Sequence, residues 1–327
     1  MWRVGINPYG ISFAVGSQGA SSPRANPKPL GLDGFLKLVE DLGVKGIEIP
    51  PAMINKLDEA ALAKLRERIG NNKWWVVVSA GPPLGDVNEL IKYCRALGAT
   101  TIRVATTTFL AGARAEKLPA FREAAATAKK SLAEAAKRTA ECNLSIAIEN
   151  HQDFCSSEIV ELCEQSGPNV GVTLDCGNPL AVGEDPLAFC KRVAPHILHV
   201  HLKDYRAHWA DDGFRLVRCP IGDGGIALGE IAKVIDAEGK NVTASLEIGA
   251  LTARHVKVLT PEWWEGYPGR TARELAAALA AARVKRLRED EEWKTPWELE
   301  APAEEVMAYE LEQMKKSVAN MKEKRWL

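Results

Sequence analysis

Apolar strand-like runs alternate with helix-like segments along most of this chain, eight times and always in the same order. The apolar runs resemble β-strands that are buried on both faces. They cover residues 3–13, 46–50, 74–81, 100–107, 145–151, 170–178, 197–204 and 242–250. The segments that follow them have helical spacing of apolar residues and cover 34–43, 58–70, 87–98, 119–142, 156–167, 185–196, 227–239 and 271–290. Such strict alternation favours an α/β fold built on a parallel sheet.

Eight strand–helix units predict one closed (β/α)8 barrel, a TIM barrel, with a C-terminal helical extension. The alternative is an open doubly wound sheet, which carries a glycine-rich phosphate turn after its first strand. The segment INPYGISF at that place lacks the GxGxxG pattern. We therefore expect a catalytic barrel over residues 1–290. Residues 291–327 form a linker and a charged helix, which packs on the barrel or on a neighbouring subunit of a homo-oligomer.

The bulk composition bounds the possible partners and the compartment. The 327 residues include 42 Lys and Arg against 43 Asp and Glu, a net charge of −1, which argues against a nucleic-acid-binding surface. Seven scattered cysteines without CxxC spacing indicate free thiols in a reducing compartment. The N-terminus resembles no signal peptide, and no stretch approaches the ~18 apolar residues of a membrane span. We expect a cytoplasmic protein that binds neither nucleic acid nor membranes.

Four polar residues stand at the C-terminal ends of the last four predicted strands. They are Glu149 (SIAIENHQDF), Asp175 (VGVTLDCGN), His201 (ILHVHLKDY) and Glu247 (VTASLEIGA). Carboxyl ends of barrel strands meet at one mouth, where TIM-barrel enzymes keep their chemistry. An unpaired buried charge is costly, so we expect a shared target. The oxygen-rich set suits one Mn²⁺ per chain, with Mg²⁺ or Co²⁺ as alternatives, better than a closed structural zinc site.

Further candidates surround these four. His151 follows Glu149 by two residues and is a candidate acid, base or substrate contact; Lys203 shares the strand face of His201 and could bind a substrate oxygen or pair with a carboxylate. We interpret His199 as a core residue or a neighbour of the ligands. Asn7, Tyr9, Glu48 and Arg103 could bind substrate hydroxyls or have core or structural ion-pair roles, and Asn178 is a further candidate substrate contact. Candidate aromatic platforms, or simple loop packing, are Trp209, Trp263, Trp264 and Tyr267. The glycine-rich PIGDGGI segment with Asp223 reads as a turn.

The motifs ENHQDF, LDCGN, HVHLKD, PIGDG and SLE, in this order, resemble the sugar phosphate isomerase/epimerase superfamily with its xylose-isomerase-like barrel. The resemblance covers about residues 1–285. It implies that Glu149, Asp175, His201 and Glu247 are metal ligands. In the epimerase members, the two glutamates also exchange protons with the carbons beside a carbonyl. The implied reaction is isomerisation or epimerisation of a sugar through a metal-stabilised enediolate. The sequence has no clear phosphate cradle, which favours an unphosphorylated sugar or glycoside.

Two departures keep a second reaction open. Asn178 stands where the ketose 3-epimerases carry a histidine, and this chain has LKDY where they have a GExN-type sequence. The HLKD form is more similar to the dehydratase and lyase members. The alternative is therefore a dehydratase or β-eliminating lyase acting on a keto-sugar, an inosose or a 3-keto-(C-)glycoside. The C-glycoside-cleaving members work with a small partner subunit, which is a further expectation here.

Two other function classes fit poorly. The abasic-site nucleases of the superfamily need a three-metal cluster with many histidines, and this chain has six histidines in all. A non-catalytic barrel that only binds a partner would have no need for the intact set of four ligand-type residues.

Overall fold

The computed structural model describes residues 2–82 and 84–327. Eight parallel strands close into a barrel in the order β1-β10-β7-β6-β5-β4-β3-β2. Their bounds are β1 Arg3–Ile6, β2 Gly46–Ile49, β3 Trp75–Ala80, β4 Thr101–Val104, β5 Ser145–Glu149, β6 Val170–Asp175, β7 Ile197–Leu202 and β10 Thr243–Leu246. The closed barrel confirms the prediction of a TIM barrel and excludes the open sheet.

Helices follow the barrel strands and cover their outer faces. They are α1 Gly31–Leu42, α2 Glu59–Asn72, α3 Val87–Leu97, α4 Ala113–Glu116, α5 Leu118–Ala140, α6 Ser156–Ser166, α7 Pro186–Val193, α8 Leu228–Ala237, α9 Pro261–Glu265, α10 Ala272–Arg283 and α11 Ala303–Glu323. Short 3-10 helices occur at Pro8–Ile11, Pro51–Met53, Asn178–Val182 and Ala194–His196. No helix among the described residues is both long enough and apolar enough to cross a membrane.

Caps at the helix ends follow the sequence in most places. The Asp58 side chain accepts a hydrogen bond from Ala61 N, as its predicted N-cap role requires. Gly98 ends α3 in the left-handed region, with φ 76°. The predicted end of α2 at Gly70 is wrong, because the helix runs on to Asn72 and Lys73 takes the left-handed conformation instead.

The first strand and the last barrel helix are shorter than predicted. The strand predicted over residues 3–13 ends at Ile6. Pro8 then opens a 3-10 turn, which the Asn7 side chain caps by accepting from Tyr9 N, and proline without an N–H suits a first turn. The helix predicted to reach residue 290 ends at Arg283, and Val284 is extended.

The segment 205–225, predicted as a loop, contains a hairpin. Strands β8 Tyr205–Ala210 and β9 Gly213–Arg218 pair antiparallel, and β11 Arg254–Val256 joins them. The turn is Asp211–Asp212, and Gly213 opens β9 with a φ of 152°. This sheet stands on the C-terminal side of the barrel, because β8 directly follows β7.

The C-terminal helix α11 contacts the loop after β1 and the second strand of the hairpin. Glu310 accepts from Ala14 N at 2.8 Å and pairs with Arg218 at 3.4 Å, and both charged side chains are fully buried. Ser317 accepts from Ile221 N through its hydroxyl oxygen at 3.0 Å. The helix therefore packs on barrel loops of its own chain, while its use as a subunit contact stays a prediction.

Candidate active site

The four predicted ligands meet at the mouth of the barrel. Glu149 and Asp175 end β5 and β6, His201 lies one residue before the end of β7, and Glu247 directly follows β10. All four are at most 2% exposed. One ligand atom from each lies within 4.8 Å of the others. Register explains the meeting, since His201 pairs with Asp175 on one side and with Ser245 on the other.

The ligand atoms face one another without hydrogen bonds between them. His201 Nδ1 lies 2.9 Å from Glu247 Oε2 and 3.4 Å from Glu149 Oε1. Within the described part of the chain, His201 Nδ1 and Glu149 Oε1 are buried without a hydrogen-bond partner, while Asp175 Oδ2 is paired with the Lys203 ammonium. Buried polar atoms are rarely left so. Acceptors in this arrangement need a cation between them, so the residues fit a divalent metal ion.

The charge balance of the mouth leads to the same conclusion. Lys203 Nζ lies 2.5 Å from Asp175 Oδ2 and 2.8 Å from Glu247 Oε1. Arg103 pairs with Glu149 and approaches Glu48 to 3.9 Å. Four buried carboxylates against these two cations leave two negative charges when the histidines are neutral. A divalent cation would cancel that excess.

The titration of the ligands reflects this crowding. Burial alone would lower the pKa of His201, but the carboxylates of Glu247 and Glu48 raise that pKa well above its ordinary value. Burial opposes ionisation of Glu149, yet the Arg103 guanidinium and His201 hold the pKa of that carboxyl below its usual range. In the absence of a metal ion, a proton on His201 thus supplies part of the missing positive charge.

His151 and Asn178 lie beside the cluster. Burial lowers the pKa of His151 to about 4, so its imidazole is neutral, and its Nδ1 has no hydrogen-bond partner among the described residues. The Asp175 carboxylate accepts from the backbone N–H groups of Gly177 and Asn178, at 2.9 and 3.0 Å. Asn178 is fully buried, and its side-chain oxygen accepts from Gln152 Nε2 at 3.4 Å.

Asn7 and Tyr9 connect the cluster to an open cavity. Asn7 Nδ2 donates to Glu247 Oε2 at 2.6 Å. A cavity of about 450 Å³ lies above the ends of β1 to β4, which is within the usual size of ligand pockets. Its lining includes Asn7, Tyr9, Met53, Ser79 and Arg103. Tyr9 is 43% exposed, so its ring is free to meet a ligand.

The aromatic residues predicted as stacking platforms do not line this cavity. The Trp209 ring packs near Phe214, with the Arg283 guanidinium over its face at 4.9 Å. Trp263 is 3% exposed and stacks on Tyr267, with ring centroids 4.1 Å apart. Trp264 donates from its indole N–H to Val258 O. These contacts are those of loop packing around the mouth.

Asp204, the neighbour of Lys203, organises the loop after the hairpin. Its carboxylate accepts from the backbone N–H groups of Tyr205, Gly222, Gly224 and Ile226 at 2.9–3.0 Å. A Cβ at Gly224 would collide with this carboxylate. The PIGDGGI segment is thus a turn held by Asp204, and its Asp223 pairs with Lys316 of α11.

Glu48 is the residue whose place the sequence did not reveal. Glu48 does not line the cavity. It is fully buried, and its Oε2 lies 2.9 Å from His201 Nε2. Its position within the apolar run GIEIP has the same pattern as the four ligand-type residues. The same pattern would have allowed Glu48 to be predicted as a member of the cluster.

Comparison with known proteins agrees with this geometry. Residues 36–262 match the family described as the xylose isomerase-like TIM barrel. The chain belongs to this family. The superfamily resemblance read from the five motifs is thereby confirmed, and this xylose isomerase-like barrel has relatives with several different reactions.

Two curated relatives illustrate that range. The rhizopine catabolism protein MocC of Rhizobium meliloti is 36% identical over 78 residues, which are 23% of this chain and 24% of MocC. The chain thus matches about a quarter of the length of that relative. The 3-oxo-isoapionate decarboxylase of Pectobacterium atrosepticum is 24% identical over 250 residues, or 75% of this chain and 84% of that enzyme.

Among solved structures, the D-psicose 3-epimerase of Clostridium cellulolyticum H10, crystallised with D-tagatose, superposes with a TM-score of 0.54 at 17% identity. The match covers 87% of this chain and 100% of the epimerase. At this level of identity, the likeness establishes the shared fold.

Proposed function

We propose that this xylose isomerase-like barrel is a divalent-metal-dependent sugar isomerase or epimerase. The observation that carries the proposal is the meeting of three acidic residues and one histidine, with unpartnered ligand atoms and two excess negative charges, at the mouth. Glu149, Asp175, His201 and Glu247 would hold the cation. Its oxygen-rich ligand set favours Mn²⁺, with Mg²⁺ or Co²⁺ as alternatives.

The reaction we propose begins with removal of a proton from a carbon beside a carbonyl. A bound divalent cation would supply positive charge to stabilise the enediolate formed by that step. Glu149 and Glu247 would accept and return the proton on the two faces of the substrate. Arg103 fixes the orientation of Glu149 and Asn7 that of Glu247, so each carboxylate is held in place before the substrate arrives.

The remaining polar groups of the mouth would bind the substrate. The cavity beside Asn7, Tyr9 and Arg103 offers a floor of hydrogen-bonding groups and an exposed aromatic ring. His151, neutral at physiological pH, could donate or accept a proton at a hydroxyl. The cavity suits an unphosphorylated sugar or glycoside. The seven free thiols suit the cytoplasm, and a homo-oligomer or a small partner subunit remains an expectation.

One observation favours the second candidate reaction, β-elimination from a keto-sugar, an inosose or a 3-keto-(C-)glycoside. Lys203 is 3% exposed, and its ammonium lies between two ligand carboxylates. Burial would lower the pKa of this amine, but Asp175 and Glu247 raise it well above the ordinary value. A permanent cation here could stabilise a departing oxygen, which an epimerase does not require.

A solvent-exchange experiment tests both reactions. The Mn²⁺-loaded protein is incubated in D₂O with ketoses, aldoses, inososes and 3-keto-glycosides, and the products are followed by NMR. Deuterium beside the carbonyl together with a new epimer or isomer supports the proposed function. Loss of water or of an aglycone with an unsaturated product assigns the lyase reaction instead.

Variants with matched chemistry make the test specific. Glu149→Gln and Glu247→Gln should each lower exchange at least ~100-fold, the scale of a lost general base. Glu230→Gln, which removes an exposed carboxylate paired with Lys233, is the control. Unchanged exchange in the first two variants at full metal content would refute the assignment of the glutamates.

A further inference from the structure

A largely buried polar cluster lies inside the barrel beneath the metal ligands. Its members are Glu48 of β2, Ser79 of β3, His199 and His201 of β7, and Thr243 and Ser245 of β10. Glu48, the two histidines and Ser245 are 0% exposed. A buried carboxylate at such a place is costly unless it is fully hydrogen-bonded, so each contact of Glu48 has to be accounted for.

Both oxygens of Glu48 are satisfied by donors. The hydroxyl of Ser79 donates to Oε1. The hydroxyl of Ser245 donates to Oε2 at 2.9 Å, and the Nε2 of His201 lies 2.9 Å from the same oxygen. Because a carboxylate only accepts, His201 Nε2 must carry a hydrogen.

His199 completes the cluster, and its Nε2 also lies 3.4 Å from Glu48 Oε2. Its Nδ1 lies 2.7 Å from Thr243 Oγ1, and its Nε2 lies 3.0 Å from Ser245 Oγ. Since the Ser245 hydroxyl donates to Glu48, its oxygen is left to accept from His199 Nε2–H, and Nδ1 accepts from Thr243. Every polar hydrogen in the cluster then has one acceptor.

This second group differs from the ligand cluster in that respect. Glu48, His199 and His201 also have ligand atoms within 4.8 Å of one another. Their facing atoms are hydrogen-bonded, however, whereas the facing atoms of the mouth cluster include two, His201 Nδ1 and Glu149 Oε1, with no partner among the described residues. The inner group thus behaves as a hydrogen-bonded support, and a second cation would have to displace its donors.

We propose that Glu48 is a positioning residue that holds His201 in the Nε2–H form, with the lone pair of Nδ1 directed at the metal site. The inference rests on the metal centre of the proposed function. A carboxylate behind a metal-bound imidazole fixes its tautomer and its ring orientation. Here the hydroxyls of Ser79 and Ser245 hold that carboxylate in turn, so three neighbouring parts of the barrel set the direction of one ligand.

Metal affinity is the first measurement. Binding of Mn²⁺ to the metal-free protein is measured by calorimetry for the wild type, Glu48→Gln and Ser79→Ala. We expect the dissociation constant to rise about 10–100-fold in Glu48→Gln, the usual effect of losing such a partner, and less in Ser79→Ala. Glu310→Gln is the matched control, because Glu310 is equally buried and contacts none of the four ligands; its affinity should stay within about twofold of wild type.

The protonation of His201 is the second measurement, and general loss of stability would not mimic it. The six histidines are few enough to resolve by ¹⁵N NMR on histidine-labelled, Mg²⁺-loaded protein. In the wild type, the His201 ring should carry hydrogen on Nε2 only. In Glu48→Gln, we expect both tautomers or exchange broadening.

The outcomes separate the two proposals. Wild-type protein that binds no divalent cation would refute the metal centre and the role of Glu48 with it. Wild-type binding with equal affinity and the same tautomer in Glu48→Gln would refute the role of Glu48 alone.

Discussion

At the scale of single residues, Lys203 is the side chain most closely involved with the charge of the mouth. Its ammonium contacts Asp175 and Glu247, two of the four carboxylate or imidazole groups that would bind the cation. A metal ion and the Lys203 ammonium would therefore compete for the same two carboxylates. The balance between them sets how tightly a cation is held.

Replacing Lys203 makes that balance measurable. Lys203→Met should destabilise the metal-free protein by about 3–5 kcal/mol, because it leaves two buried carboxylates without their partner. Added Mn²⁺ should restore more stability to this variant than it adds to the wild type. Thermal unfolding with and without Mn²⁺ checks this, and equal increments in the two proteins would contradict it.

Asp204 has a purely structural role next to that lysine. Its carboxylate holds four backbone N–H groups of the hairpin and the following turn. We expect Asp204→Ala to speed amide exchange at Gly222, Gly224 and Ile226, since each unsatisfied buried group costs about 1–3 kcal/mol. Mn²⁺ affinity should stay near that of wild type. A hydrogen-exchange experiment in which those three amides stay protected would contradict this role.

At the scale of elements, the sequence gives the order of strands and helices but not every end. Strand–helix alternation and the apolar runs predicted the barrel, and Asp58 and Gly98 marked helix ends correctly. Proline at position 8 shortened the first strand, a local effect that outweighed its apolar run. The hairpin at 205–218 was missed although its polar Asp211–Asp212 turn, the Gly213 that follows and the alternating Phe214 and Leu216 are recognised hairpin features.

Glu48 was a candidate for a core or ion-pair role, but its partner escaped prediction for a reason that lies in the closure of the barrel. Its partner His201 stands on β7, whereas β2 pairs with β1 and β3. Contacts across the interior of a ring join strands that are neighbours neither in sequence nor in the sheet. Spacing along the chain located the polar residues at the C-terminal ends of β5, β6, β7 and β10. It does not show which strands face one another across the barrel interior.

The C-terminal helix offers a test at this scale. The Arg218–Glu310 pair is fully buried and joins α11 to β9 and, through Ala14, to the loop after β1. Glu310→Gln or Arg218→Met alone should each lower the free energy of unfolding by about 3–5 kcal/mol, because the remaining charge is left buried and unpaired.

The double variant Arg218→Met with Glu310→Gln is the control, since it removes both charges together. Urea unfolding should find it less destabilised than either single variant. Additive losses would mean that the two side chains do not act as a pair.

The inner faces of three barrel helices carry thiols. Burial raises the pKa of Cys94 on α3, Cys163 on α6 and Cys190 on α7 to about 12, and each is at most 2% exposed. At pH 8 these thiols therefore stay protonated and protected. We expect Ellman's reagent to react quickly with one thiol per native chain, the half-buried Cys142, and with all seven after denaturation.

The matched control for that thiol is Cys142→Ser, which should abolish the rapid phase. Two or more rapid thiols in the native protein would mean that the helices do not seal against the barrel as described.

At the scale of the whole molecule, a bound cation should act as a stabilising ligand. At a Mn²⁺ concentration of ~100 times the dissociation constant, it should add about 2.7 kcal/mol, or about 4 °C in Tm. Chelation should reverse the gain. Metal analysis after dialysis should find one ion per chain, and a Tm that does not respond to any of Mn²⁺, Mg²⁺ or Co²⁺ would contradict the metal centre.

Glu48 and His201 meet across the barrel interior, and this contact links cation binding to closure of the barrel. All four ligand-type residues lie on or directly after the last four barrel strands, yet the His201 imidazole is held by a side chain of β2. Opening the barrel near β2 would break the contact between Glu48 and His201 without displacing any of the four ligand-type residues. Cation affinity would then report on whether the whole barrel is closed.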